Sequence, residues 1–374
     1  MTVRMLLRQV KLENLLSFRN TTVQLRGLNV LIGANASGKS NLIEAIGLLQ
    51  AAPVDLSRAI LRLGGVRVVC SLARRTPTAA IQCSEIHDEP IRYRLEFSEE
   101  AGGFIVNMEH FRSLAPDVTY FERLGGTVRF GTDLSSVSRS QSVFELYKSP
   151  ADPTPTTELG KDFEAIRIYR EFRTTSDSQA RRGVSTSTRK DFLDDQGDNL
   201  ALVLLDMDFK GLHERVRAYL HRFCDRFDDV KVRLDSPIVK TYIEESGLLE
   251  PLVSWRLSDG TLKFLCLLAV LLERELPPLI CIEEPEVGLH PEAIQIVAEA
   301  LVEASERTQL IVTTHSEALI DALSDRPEDV LVTERDFDNG TQFRRLDKDQ
   351  LSLWLERYSL GQLWRTGEIG GNRW

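Results

Sequence analysis

The segment GANASGKS, residues 33–40, constrains this chain more than any other stretch of its sequence. It follows the apolar run LNVLI and precedes NLIEAI, which predicts a strand, a glycine-bounded loop and a helix. Gly33 and Gly38 allow backbone angles that a Cβ would exclude, so the loop can wrap a phosphate with its N–H groups. Lys39 is expected to reach the β- and γ-phosphates of a nucleotide, and the Ser40 hydroxyl is expected to contact Mg²⁺. The residues predicted to line the nucleotide are Gly33, Asn35, Ala36, Ser37, Gly38, Lys39, Ser40 and Asn41.

The composition narrows the class of protein. The chain has 374 residues, enough to bury a sizeable core, and its net charge of −10 argues against a globally basic nucleic-acid-binding surface. Its five cysteines form no CxxC pair, so we expect free thiols in a reducing compartment. No secretion signal is recognisable, and the apolar runs are too short to span a membrane. The sequence therefore predicts a cytoplasmic protein with no membrane partner.

Two further apolar runs end in residues that suit phosphate chemistry. The run LICI is followed by Glu283 and Glu284, and the run LIVT is followed by Thr314 and His315. Because ligands bind at the carboxyl ends of parallel strands, we expect these residues beside the loop at 33–40. Glu283 is expected to hold Mg²⁺, Glu284 to polarise an attacking water, and His315 to sense the γ-phosphate. The alternatives are a solvated loop start for the two acids and a structural role for the histidine.

The rest of the chain is predicted to add accessory elements. Residues 66–133 have the pattern of an antiparallel meander, 149–160 of a Pro/Thr-rich connector, and 162–172 of a helix. Residues 161–190 carry eight Lys/Arg against four Asp/Glu, which fits either a solvated loop or a contact with DNA. The aromatic tail at 343–374 either covers the sheet or forms a docking surface. The sequence has no sustained heptad pattern, so we expect no coiled-coil arm.

The order of these motifs resembles that of ABC-type ATPase heads of the SMC/RecF-like group. Residues 33–40 match Walker A, LSDGT at 257–261 resembles the LSGGQ signature, 279–284 resemble Walker B, and His315 resembles the switch histidine. Three motifs depart from the family pattern: Glu283 replaces Asp in Walker B, the signature has Asp259 and Thr261, and the D-loop has His290. The EEPE and GLHP segments are similar to those of compact OLD-like, phage-defence-type AAA-family ATPases. Gln141 is the candidate for the family's metal-contacting glutamine.

The resemblance implies an α/β P-loop NTPase fold: an ABC-type head with an antiparallel meander and a helical lobe. We expect one bipartite head over residues 1–374. Its parts would be a Walker A and meander lobe (1–150), a helical and basic accessory lobe (151–253), a lobe with signature, Walker B and switch (254–340), and an aromatic tail (341–374).

The resemblance also implies a mechanism. ATP would be bound between two copies of the chain, in a homodimer or higher homo-oligomer. Ser258 and Gly260 of one copy would donate to the γ-phosphate held by the other, although Ser258 also suits an ordinary helix N-cap. The chain would be an ATP-hydrolysing switch that controls an effector protein or acts on DNA in phage defence. The alternatives are a RecF-like DNA-repair ATPase, a non-hydrolysing ATP-bound scaffold and, within the same fold, a transporter ATPase.

Overall fold

A computed structural model describes residues 5–70, 78–147, 154–188, 191–235 and 237–371. Its strands are β1 (Leu7–Leu15), β2 (Phe18–Gln24), β3 (Leu28–Ile32), β4 (Ala79–Ile86), β5 (Ile91–Glu100), β6 (Gly103–Leu114), β7 (Asp117–Leu124), β8 (Thr127–Phe130), β9 (Asp133–Ser136), β10 (Arg167–Tyr169), β11 (Val184–Ser185), β12 (Phe227–Asp235), β13 (Ile238–Glu245), β14 (Leu252–Val253), β15 (Leu279–Glu283), β16 (Gln309–Thr313), β17 (Val330–Asp336) and β18 (Gly340–Arg345).

The helices alternate with these strands. They are α1 (Lys39–Ala51), α2 (Leu56–Arg62), α3 (Val66–Val69), α4 (Val143–Leu146), α5 (Pro155–Ala165), α6 (Gln179–Arg182), α7 (Leu200–Phe209), α8 (His213–Phe223), α9 (Asp259–Leu271), α10 (Pro291–Ser305), α11 (Glu317–Asp321), α12 (Lys348–Leu355) and α13 (Leu360–Thr366). Among the described residues, no helix is both long enough and apolar enough to cross a membrane.

One 14-stranded sheet organises the fold, in the order β10-β15-β16-β3-β17-β18-β2-β1-β4-β5-β6-β7-β8-β9. The first five strands are parallel, and the rest form the antiparallel part. Every residue of β3 and β16 is buried, as expected for parallel strands covered on both faces. The strands β12 and β13 form an antiparallel hairpin and, with β11 and β14, make a smaller sheet.

Two apolar cores cover the two faces of the large sheet. Helices α7, α8, α9, α10 and α13 pack into one core with the inner faces of β3, β15 and β16. Helices α1, α2 and α5 pack into the other core with one face of the meander, β4–β8. This α/β architecture with a meander and a helical lobe confirms the predicted fold class.

Three local predictions are wrong. Residues 66–69 form the short helix α3 instead of a strand, and the adjoining 71–77 lie outside the described residues. The helix predicted at 162–172 begins earlier, at Pro155 inside the expected connector, and ends at Ala165. Residues 167–169 are instead the edge strand β10, which pairs in parallel with β15. That pairing is a tertiary contact, so the helical spacing of the local sequence could not reveal it.

Candidate functional site

The glycines of the loop at 33–40, called the P-loop below, are required by close packing. Gly33 follows β3, and a Cβ there would collide with the carbonyl oxygen of Thr333. Gly38 caps α1 with φ +105°, and a Cβ there would collide with the hydroxyl of Thr341 and approach Ser17 Oγ to 2.8 Å. The P-loop is therefore enclosed by β17, β18 and the turn between β1 and β2.

Lys39 lies inside this loop with only 5% of its surface exposed. Its Nζ donates to the carbonyl oxygens of Gly33 at 2.8 Å and Ala34 at 3.0 Å. Burial lowers the pKa of Lys39 to about 8, against the opposing effect of Glu284 and Glu286. The ammonium is thus a desolvated charge directed into the loop, which suits it to bind an anion.

The other predicted loop residues divide into two groups. Asn35, Ala36 and Ser40 are exposed at the loop surface, whereas Ser37 is buried. The Asn41 side chain has a structural contact instead. Its Nδ2 donates to Ser17 Oγ at 2.7 Å, which ties α1 to the β1–β2 turn.

The parallel register brings the two carboxylates and the histidine to the P-loop. Glu283 pairs with Thr313 across β15 and β16, and Thr313 pairs with Leu31 of β3. Glu284 has a left-handed φ of +44°, and its N–H donates to the carbonyl oxygen of Thr313 at 3.0 Å. This turn places Glu284 Oε1 at 3.8 Å from His315 Nε2.

Glu283 and His315 have shifted pKa values. Burial raises the pKa of Glu283, while the Ser40 hydroxyl and Arg170 lower it. Its Oε1 is buried and accepts no hydrogen bond within the described ranges. Burial and the charge of Lys39 lower the pKa of His315, which favours the neutral imidazole at neutral pH.

Several functional candidates were missed by the sequence analysis. Glu286 Oε1 accepts from Thr314 Oγ1 at 2.7 Å and from the His315 N–H at 2.9 Å, so it fixes the segment that carries the histidine. The signal in the sequence that could have revealed Glu286 is its position as the third acid of the EEPE run. Arg170 and Glu44 also lie beside Glu283, and only the correct assignment of β10 could have revealed them.

Gln141 is not brought to this site. Its Nε2 donates to Glu145 Oε1 at 2.6 Å, and the carbonyl of the preceding Ser140 accepts from Ser57 in α2. Helix α2 follows the C-terminus of α1, whereas the P-loop lies at its N-terminus. The 13 residues of α1 put about 20 Å of helix between those ends. The assignment of Gln141 to the metal is therefore corrected.

The segment at 257–261 starts α9 and packs on the D-loop. Ser258 is the N-cap residue, and its Oγ accepts from the Thr261 N–H at 3.0 Å. A Cβ on Gly260 would come within 2.9 Å of the carbonyl oxygen of Gly288, so glycine is needed for this close approach. Arg181 holds the segment from outside, donating to the carbonyl of Leu257 at 2.6 Å and pairing with Asp259.

The tail contacts the P-loop as well as covering the sheet. Helix α13 buries Leu360 and Leu363 in the core, whereas Trp354 of α12 is 46% exposed. Beyond α13, the Gly371 N–H donates to Glu334 Oε1 at 3.1 Å. A Cβ on Gly371 would lie 3.3 Å from Gly33 Cα. Trp374 lies outside the described residues.

Taken together, the fold and the site define an ABC-type P-loop ATPase head of the SMC/OLD-like kind. Residues 28–321 match the family described as "AAA domain, putative AbiEii toxin, Type IV TA system". The chain belongs to this family.

Individual relatives agree with this assignment. The Old nuclease of Escherichia phage P2 is 27% identical over 362 residues, which cover 86% of this chain. The chain spans 58% of that relative's length. The fold is shared at 12% identity with an Smc head bound to the C-winged helix domain of ScpA (TM-score 0.57, covering 92% of this chain and 99% of that one). It is likewise shared with an Smc head with an extended coiled coil bound to the C-terminal domain of ScpA, derived from Pyrococcus furiosus (TM-score 0.56, 12% identity, 95% and 99%).

The contact of the tail with Gly33 leads to a prediction. Gly371→Ala adds a methyl group 3.0 Å from Val332 Cγ1 and 3.3 Å from Gly33 Cα, so it should displace the start of the P-loop. We expect ATP affinity to fall about fivefold, equivalent to about 1 kcal/mol. The measurement is titration with a fluorescent ATP analogue.

Gly247→Ala is the matched control for backbone strain. Gly247 has φ +85° against +77° for Gly371, but a Cβ there meets nothing within 4 Å. Both variants should lose about 1–2 kcal/mol of folding stability from the left-handed backbone. Equal ATP affinities for the two variants would contradict the proposed role of the tail.

Proposed function

We propose that this chain is an ATP-binding and ATP-hydrolysing switch whose heads close around ATP and control a partner. The observation that carries the proposal is the convergence of Lys39, Glu284 and His315 at the ends of three parallel strands. A buried cation, a partly exposed carboxylate and a neutral imidazole suit phosphate binding, water activation and γ-phosphate contact respectively.

The residues fit a magnesium ion. Glu283 Oε1 is a buried carboxylate oxygen without a hydrogen bond in the described part of the chain, and the Ser40 hydroxyl lies beside the same carboxylate. These are the hard oxygen donors that Mg²⁺ prefers. When bound, the ion would neutralise phosphate charge, while Lys39 and the loop N–H groups hold the phosphates. Glu284 would orient and deprotonate the attacking water, and His315 would donate to a γ-phosphate oxygen.

The hydrolytic step gives the first test. Glu284→Gln keeps the size of the side chain but removes the base, so we expect phosphate release to fall by about 10²–10⁴-fold with ATP binding retained. The control is Glu292→Gln, at an exposed carboxylate in the first turn of α10. Phosphate release and ATP binding are measured on the same preparations. A wild-type protein that binds ATP and releases no phosphate would favour the scaffold alternative.

Closure of two heads gives the second test. Ser258 lies at the positive end of α9, which suits it to contact a γ-phosphate held by another copy of the chain. We expect Glu284→Gln to shift to a dimer or larger species with ATP, as measured by light scattering. Adding Ser258→Arg should abolish the shift. The control is Ser352→Arg in α12, whose serine is exposed. A size that never responds to ATP would contradict closure.

The relatives of this chain support a protein as the partner that the switch controls. The relative named Old nuclease is longer than this chain, and the Smc heads are recorded with ScpA domains. Both facts support a head that acts through an attached or separate protein. An effector protein controlled by ATP-dependent closure, in phage defence, is the assignment we favour.

DNA is the second candidate partner, but through a different surface from residues 161–190. The described arginines of that segment make internal contacts: Arg167 with the carbonyl of Glu164, Arg170 with Glu44, Arg173 with Asp198, Arg181 with Asp259, and Arg182 with the carbonyl of Ser176.

Two arginines face each other on neighbouring strands of the meander. Arg92 and Arg112 lie directly opposite each other on β5 and β6, and each has a buried Nε without a hydrogen-bond partner among the described residues. Opposed like charges are unfavourable. Burial and the neighbouring Arg112, Arg94 and Arg92 lower the pKa of His110. An anionic backbone laid across this face would relieve that repulsion.

This surface gives the third test. Arg92→Glu with Arg112→Glu should weaken DNA binding and reduce the slope of log K against log salt by about 2, one unit for each lost phosphate contact. Arg58→Glu with Arg62→Glu, at two exposed arginines of α2, is the charge-matched control. Fluorescence anisotropy with duplex DNA at several salt concentrations measures both quantities. An unchanged slope would contradict DNA binding through this face, and with it the RecF-like alternative that uses this surface.

A further inference from the structure

Arg170 follows the edge strand β10 and lies beside the Walker B carboxylate. In the parallel register, Tyr169 pairs with Ile282, so the next residues along the two strands, Arg170 and Glu283, lie side by side at the edge of the sheet. The guanidinium Nη1 is 3.4 Å from Glu283 Oε1. That oxygen is the one that accepts no hydrogen bond from the described residues.

A second carboxylate holds the same guanidinium. Arg170 Nη2 donates to Glu44 Oε2 at 2.9 Å, and Nη1 donates to Glu44 Oε1, so the pair is bidentate. Glu44 lies one turn after Ser40 on α1, on the same face of the helix. Ser40, Glu44 and Glu283 therefore face one small space, with a single guanidinium between the two carboxylates.

The charge balance of this space depends on Arg170. Burial raises the pKa of Glu283 most, and the neighbouring Glu44 and Glu284 raise it further. The Ser40 hydroxyl and the Arg170 charge act in the opposite direction. Without the guanidinium, the carboxylates of Glu44 and Glu283 would repel each other in a partly buried space, an arrangement that favours a divalent cation.

The position of Arg170 also allows it to move. Its side chain is 45% exposed, on the wall of a cavity of about 1140 Å³ that extends between α1 and the segment after β10. The bidentate contact with Glu44 can keep the guanidinium near the site while its contact with Glu283 is exchanged.

We propose that Arg170 is a positioning residue that competes with the metal ion for Glu283, so that the metal binds tightly only together with ATP. This inference rests on the proposed ATPase function. A guanidinium and a divalent cation repel each other and cannot both occupy Glu283 Oε1. The phosphates of ATP add negative charge to the site, which offsets that repulsion and favours the exchange.

Metal binding without nucleotide tests the proposal. Mn²⁺, a spectroscopic substitute for Mg²⁺, is titrated into the full chain and its free concentration is followed by electron paramagnetic resonance. We expect Arg170→Ala to bind Mn²⁺ at least about tenfold more tightly than wild type, comparable to the effect of one nearby charge on a carboxylate. Arg170→Lys should stay near wild type because it keeps the charge. Adding Glu283→Gln to Arg170→Ala should abolish the gain.

Arg173→Ala is the matched control. Arg173 lines the same cavity three residues later, but it pairs with Asp198 and Gln196. Its removal should leave metal affinity unchanged, and thermal unfolding of each variant checks that the fold is intact. Wild-type or weaker Mn²⁺ affinity in folded Arg170→Ala would overturn the proposal.

The same titration repeated with ATP separates the two proposals. Tight Mn²⁺ binding by wild type with ATP, but no gain in Arg170→Ala without it, would leave the ATPase function standing and reject the role of Arg170. No ATP-dependent metal binding by wild type would count against the proposed function itself.

Discussion

The parallel pairing of β3, β15 and β16 is the constraint on which the site depends. These strands end at one edge of the sheet, so residues from three distant parts of the chain meet there: Lys39, Glu284 and His315. A change of register by one residue would turn every side chain of a strand to the opposite face. Both faces of β3 and β16 are buried, so a shifted strand would have to repack against both apolar cores, and the cores thereby position the polar site.

The site depends, second, on the enclosure of the P-loop by neighbouring elements. The strands β17 and β18, the turn at Ser17 and the tail at Gly371 all approach it within van der Waals distance of its glycines. Thr341 Oγ1 donates to the carbonyl of Ser37 at 2.7 Å, across about 300 residues of sequence. The loop is held by long-range contacts, and this preorganisation avoids an ordering cost when an anion binds.

The parts of the site that are local in sequence were predictable. The P-loop, the acids after β15 and the histidine after β16 each follow an apolar run, and that pattern alone indicates a buried strand with polar residues at its end. The predictions failed where pairing with another strand decides the secondary structure. Strand β10 has three residues and exists because β15 pairs with it, so Arg170 was placed in a helix.

For the same reason, charge counting could not decide between a solvated loop and a contact with DNA. The excess of basic residues at 161–190 suggested a binding surface, but which acids pair with those arginines is a property of the tertiary fold. Arg92 and Arg112, whose buried Nε atoms have no hydrogen-bond partner among the described residues, are separated by 20 positions in sequence and are adjacent only across two strands. Gln141 was likewise chosen from its place after the meander, which does not fix its distance from the P-loop.

The central claim is that one catalytic site is built from two copies of the chain, and mixing two inactive variants tests it most directly. Lys39→Ala removes the phosphate-binding cation, and Ser258→Arg blocks the contact made in trans. Each variant should be inactive alone. In an equal mixture, each mixed dimer contains one intact composite site out of two. Hydrolysis should therefore recover to about one quarter of the wild-type rate if the variants pair at random, and to about one half if only mixed dimers close around ATP. A mixture that stays inactive, from variants that are folded and associate, would contradict the two-chain site.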